Sequence, residues 1–254
     1  MGLIEPVRPF VAFDSYHSGA LLVIGVLAIG LSAFTWWLQN PRFTRAVAVT
    51  LGVLLIAHEL LKPFMRTGIY GFPLENELPL PLCRIGAIIT GIMLIARSYR
   101  LYEITYFWGL GAGLLALFMP DLDVHGFPTL AWMSFMIGHG LIIVGVVFAT
   151  VNYGFRPTFW SVNKAAAAVI LLGCIILPLN FLLGSNYLFL ADKPDVPIFN
   201  IMPAEPWHIP PLIVLGYIIF TIAWLPYAGL EAVLRVFGVR ISMRKQREAA
   251  TESA

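Results

Sequence analysis

Charge is what this sequence has least of. Asp, Glu, Lys and Arg make up 12% of its 254 residues, about half the roughly 25% usual in soluble domains. With 59% hydrophobic residues and a mean hydropathy of +0.83, a soluble globular domain is excluded. A net charge of +2 leaves no basic surface for nucleic acid, so no nucleic-acid partner is expected. Cysteine is nearly absent too. Cys83 and Cys174 both lie in or beside apolar segments, which argues against a disulfide framework. There is no glycine-rich nucleotide-phosphate loop. The zinc-protease pattern of two histidines four residues apart fails, because Lys62 stands four residues after His58. No metal site and no cofactor are therefore expected.

Long apolar runs are present instead. Seven stretches, near 19–38, 43–61, 80–97, 101–119, 128–150, 164–184 and 210–234, approach the ~20 helical residues that a bilayer core requires. The expected fold is all-α, a polytopic bundle of about seven transmembrane helices in one domain over 1–234, with a basic tail over 235–254. Glu5 and Asp14 precede the first run with only one basic residue, and no small-residue cleavage site follows, so that run reads as a permanent helix. Seven spans would collect Arg8, Lys62, Arg66 and Lys193 on one side. The other side would collect Arg42, Arg45, Arg97, Arg100, Arg156, Lys164, Arg235, Arg240, Arg244, Lys245 and Arg247. The richer side is expected in the cytoplasm together with the C-terminus, with the N-terminus outside.

Chemistry-bearing residues gather in or near the expected outer loops. His58-Glu59-Leu-Leu-Lys62-Pro63 closes the second run, and Pro63 is expected to end its helix. His58 and Lys62 share a helix face. Pro79 and Pro81 frame Leu80, which predicts an interfacial or re-entrant loop leading Cys83 into the membrane. A following Arg84 and a helix N-terminus both favour a thiolate. His139 lies between Gly138 and Gly140 deep in the fifth run, and an ionisable residue at such depth is a functional candidate. Its depth is about 16 Å, whereas Cys83 lies near the start of its run, so contact between them requires the outer loop to dip inward. Asp121 sits in an acidic turn after Pro120, and Asn180, Asn186 and Tyr187 lie at or beyond the end of the sixth run. Each also has a plainer reading. Cys174 is a small hydrophobe in an apolar helix, Glu103 pairs with neighbouring Arg100, Trp207 anchors the interface, and His58-Glu59 forms a structural hydrogen-bonded cluster.

A set of short motifs then occurs in order over roughly residues 50–230. They are Leu80-Pro81-Leu82-Cys83-Arg84, Tyr106-Phe107-Trp108-Gly109-Leu110, Met119-Pro120-Asp121, Ser134-Phe135 with Gly138-His139-Gly140, Asn180 through Leu190, Lys193-Pro194 and Pro206-Trp207. In these the chain resembles the YwaF-type integral membrane proteins of bacteria, which are similar to the eukaryotic transmembrane protein 164 family. It departs at Gly138, where Ser is more usual, and at His208, where Tyr commonly follows Trp.

The resemblance implies a cysteine-centred acyltransferase or lipid hydrolase of a bacterial cytoplasmic membrane, with phospholipids or lysophospholipids as partners. It implies Cys83 as nucleophile and His139 as base. Arg84 and Lys62 are then expected to hold the lipid phosphate, with Asn186, Tyr187 or backbone amides near Pro81-Leu82 at the reacting end. His58, Glu59, Asp121 and Asn180 are expected to orient them. Three alternatives remain open on the sequence: an ion-coupled or small-molecule transporter using the intramembrane His, Glu and Asn residues, haem held by His58 and His139, and a purely structural role.

Overall fold

A computed structural model describes residues 9–70, 78–120, 122, 126–193 and 200–236. Among the described residues seven helical segments of 15 or more residues follow one another: α1 (Ser15–Leu38), α2 (Pro41–Tyr70), α3 (Leu82–Ala96), α4 (Tyr99–Phe118), α5 (Leu130–Asn152), α6 (Phe159–Leu183) and α7 (Ile209–Val236). Six carry segments long and apolar enough to cross a membrane, and α3 is a shorter apolar helix. The chain is thus an all-helical polytopic membrane bundle. At 15 residues, α3 rises only about 22 Å, less than the ~30 Å of a hydrocarbon core.

Local chemistry sets the helix ends. Asp14 accepts the His17 amide at 2.7 Å to start α1, and Thr158 and Ser161 cap α6 reciprocally. Gly184 ends α6 in the left-handed region, φ 60°. Pro63 does not end α2, contrary to the sequence expectation; the helix continues to Tyr70. A proline inside a helix leaves the carbonyl four residues earlier without its amide. That carbonyl belongs to Glu59, and the Arg84 guanidinium lies 3.4 Å from it through Nη2. A group on another helix therefore supplies what the proline removes.

Packing centres on α3, α4 and α5, where Met93, Leu94, Tyr102, Phe107, Val146 and Phe148 are fully buried. In the middle of α4, Phe107–Gly113 winds as a π-helix and is covered by α3, α5 and α7. The α2–α3 pair approaches most closely at Gly52 and Gly91. A Cβ added at either would lie 2.7 Å from the other's carbonyl oxygen, so only glycine fits there. Buried Glu103 pairs with Lys164 of α6 at 2.6 Å and accepts the Ser161 hydroxyl at 2.7 Å, rather than pairing with Arg100. The outer faces of α1, α6 and α7 remain apolar and uncovered, with Phe181 90% exposed. That is the surface lipid tails would cover.

Candidate active site

The polar residues of α2, α3 and α5 converge on Glu59. This carboxylate is 3% exposed, and each of its oxygens is engaged. Its Oε2 accepts Arg84 Nε at 3.0 Å, and its Oε1 accepts His58 Nδ1 at 3.0 Å. A carboxylate only accepts, so His58 carries its proton on Nδ1. In the neutral ring Nε2 then accepts from the Ser134 hydroxyl, 3.3 Å away on α5. The result is a chain Ser134–His58–Glu59–Arg84 across three helices, and Arg84 Nη1 also donates to Leu78 O at 3.4 Å. Burying so much charge is sustainable only with paired and hydrogen-bonded partners.

Gly138 is where α5 meets this chain. A Cβ there would lie 2.8 Å from His58 Cε1 and 3.3 Å from Glu59 Oε1. The departure from Ser at this position thus has a physical reading: the smaller residue lets the imidazole and carboxylate press against the α5 backbone.

Two contacts tie the chain neighbours of the candidate nucleophile and base to Glu59. Glu59 grips Arg84, whose chain neighbour is Cys83, and Glu59 with His58 packs on Gly138, whose neighbour is His139. The first turn of α3 lies opposite Glu59 rather than at the end of α2. From Glu59 to Tyr70 the α2 helix rises a further ~16 Å, and from Leu130 to His139 α5 descends ~14 Å. Lys62 and Glu59 lie within electrostatic range of both the Cys83 thiol and the His139 imidazole. Cys83 is half-buried and His139 is 9% exposed.

His139 has a defined ring orientation. Its Nδ1 donates to Phe135 O at 3.0 Å, and the Phe135 ring stacks on it at 4.1 Å between centroids. The neutral ring therefore presents its lone pair on Nε2. Among the described residues, no hydrogen bond joins Cys83 to His139. Cys83 itself occupies the first turn of α3, after Pro81, whose side chain caps nothing. The Arg84 and Ile85 amides turn back to Pro81 O at 3.0 and 3.1 Å. Among the described residues the Leu82 and Cys83 amides donate to no group, as the first amides of a helix characteristically do not.

The remaining predicted residues sit elsewhere. Asn180 is 3% exposed. It donates to Tyr187 O at 2.8 Å and accepts the Tyr187 amide at 2.9 Å and the Ser185 hydroxyl at 3.0 Å. Asn186 accepts the Ala191 and Asp192 amides at 3.0 and 3.1 Å and donates to Asp192 O at 2.9 Å. These residues, with Tyr187, organise the turn after α6; they are not among the groups around Glu59. His208 is buried and donates to Phe189 O at 2.8 Å in the same region. Asp121 lies outside the described residues. Ser134 is the site residue that sequence reasoning passed over. The available signal was its position one turn before Gly138, on the face that meets α2.

A family model matches residues 12–224 of the chain, that of the TMEM164 family. Neither any curated protein nor any solved structure matches it. The chain belongs to the TMEM164 family.

Proposed function

We propose that the protein is a membrane acyltransferase or lipid hydrolase that carries a fatty acyl group as a thioester on Cys83, with His139 as the proton carrier. The observation that supports this reading is that Glu59 binds Arg84, the chain neighbour of Cys83, and packs with His58 on Gly138, the chain neighbour of His139.

In the first step His139 Nε2 takes the thiol proton and the sulfur attacks the ester carbonyl of a phospholipid. The Leu82 and Cys83 amides stabilise the oxyanion that forms. The intermediate collapses, the glycerol oxygen leaves with the proton from His139, and a lysophospholipid departs. A second lysophospholipid hydroxyl, or water, then attacks the thioester while His139 acts as base again; the C–S bond breaks and His139 returns the proton to the Cys83 sulfur. Lys62 is the cation for the lipid phosphate. Arg84, whose Nε is engaged by Glu59, serves to position Cys83.

A second reading has its own support. Ser134, His58 and Glu59 form a hydroxyl–imidazole–carboxylate sequence of the kind that activates serine nucleophiles. The two readings separate in one assay of acyl transfer between a labelled phospholipid and a lysophospholipid in nanodiscs. The thioester reading expects Cys83→Ala and His139→Ala to stop transfer, and Ser134→Ala to retain most of it. The reverse pattern makes Ser134 the nucleophile. Unchanged transfer in all three sinks both, and accumulation of a solute in proteoliposomes would then favour a transporter.

A further inference from the structure

At the opposite end of the bundle from Cys83, the ends of α1, α3 and α5 and the start of α2 enclose a polar cavity of about 420 Å³. Thr35, Gln39, Arg45, Arg97, Asn152 and Tyr153 are among its walls. Its chemistry is one-sided. Two guanidinium groups line it, and among the described residues neither is paired with a carboxylate. Arg97 lies over the Tyr153 ring, 4.8 Å from the centroid, and the Tyr153 hydroxyl is anchored on Leu94 O at 2.8 Å. Arg45 donates to Ile95 O. Thr35 is 1% exposed, and its hydroxyl has no hydrogen-bond partner among the described residues. A buried hydroxyl without a partner costs free energy unless something else satisfies it.

This cavity opens onto a second feature through shared residues. An open, nearly flat patch on the side of α2 adjoins it, formed by Pro41, Arg42, Arg45, Ala46, Val49 and Thr50. Pro41 and Arg45 belong to both. Anion-binding groups at a helix end, beside an exposed apolar helix face, match a phosphate joined to an acyl chain better than a free phosphate. Trp36, 58% exposed and also on the cavity wall, has the character of a side chain at the membrane–water boundary.

We propose that this end of the protein binds an anionic phospholipid, its phosphate between Arg45 and Arg97 with Thr35 and Gln39 as hydrogen-bonding neighbours, and one acyl chain along Ala46 and Val49. The site is separate from Cys83 and does not rest on the acyl-transfer reading.

The test is native mass spectrometry of the full chain titrated with phosphatidylglycerol, phosphatidylcholine, or glycerol phosphate. Wild-type protein should retain phosphatidylglycerol in preference to phosphatidylcholine. Arg45→Gln combined with Arg97→Gln should weaken that retention about tenfold or more, the scale of one to two lost charge-assisted hydrogen bonds. Arg100→Gln, outside the cavity lining, should leave it unchanged. Ala46→Trp puts a bulky ring on the α2 face where the acyl chain would lie and keeps both cations. It should lower retention of the lipid, which covers the case in which the double variant fails to fold. Equal retention in a folded double variant, or in Ala46→Trp, overturns the proposal. Glycerol phosphate binding as tightly as the lipid would assign the cavity to a soluble phosphate and overturn the lipid reading.

Discussion

Two of the polar groups in this bundle, around Glu59 and around Asn180, are built in opposite ways. Around Glu59 the network is of side chains drawn from three helices: His58 beside it on α2, Arg84 on α3 and, through His58, Ser134 on α5. After α6, Asn180 and Asn186 bind mostly main-chain groups within a few residues of themselves. Local side-chain to backbone bonds shape a turn and leave little chemistry over. A cross-helix network fixes the relative position of separate elements, and here its neighbours are a thiol and an imidazole. The contrast teaches that a polar residue in an apolar segment is informative through what it binds more than through its type.

Breaking each group should therefore have different consequences. The largest effect is expected from Cys83→Ala. Acyl transfer in nanodiscs should fall on the order of 10³-fold or more, with the thermal unfolding temperature nearly unchanged. Glu59→Gln should be next, since it removes the carboxylate charge that the buried Arg84 Nε binds at 3.0 Å. About 3 kcal/mol of stability should be lost, measured by unfolding in detergent, together with transfer. Adding Arg84→Gln should cost much less than the sum of the two single changes, because the pair is lost once.

The steric contact sharpens the comparison. Gly138→Ala places a Cβ 2.8 Å from the His58 ring, and the ring must move. A cost of about 1–3 kcal/mol is expected, with reduced transfer, whereas a glycine that faces no neighbour, such as Gly216, should tolerate alanine. On the other side of the comparison, Asn180→Ala removes three hydrogen bonds in the α6 turn. It should destabilise by about 1–3 kcal/mol while leaving turnover per folded molecule intact. Asn186→Ala, at an exposed position, should be the mildest, near 0.5 kcal/mol. A specific loss of turnover in either asparagine variant would erase the distinction between the regions.

Much of the fold was legible because membrane helices announce themselves by apolar length alone, and all seven passes overlap the expected runs. Pro79 and Pro81 correctly marked where helical geometry could not begin before Leu82. What the pattern did not carry was depth. The level of Cys83 depends on Arg84 reaching Glu59, a contact between residues far apart in the chain. Pro63 was misread for the same reason. Proline disrupts a helix by orphaning a carbonyl, and the group that lies near that carbonyl here is on another helix. Glu103 found Lys164 on α6 rather than its sequence neighbour Arg100, since packing of α4 on α6 set the nearest cation. Asn186 and the Tyr187 main chain bind within the turn after α6, a local role that only the backbone course reveals.

The most direct test of the central claim is intact-protein and peptide mass spectrometry after incubating the purified protein with an acyl-labelled phospholipid and no acceptor. The thioester account predicts a labelled acyl group on Cys83, released by hydroxylamine or by added lysophospholipid, and absent in Cys83→Ala. A label found on Ser134, or turnover with Cys83 never modified, would contradict it.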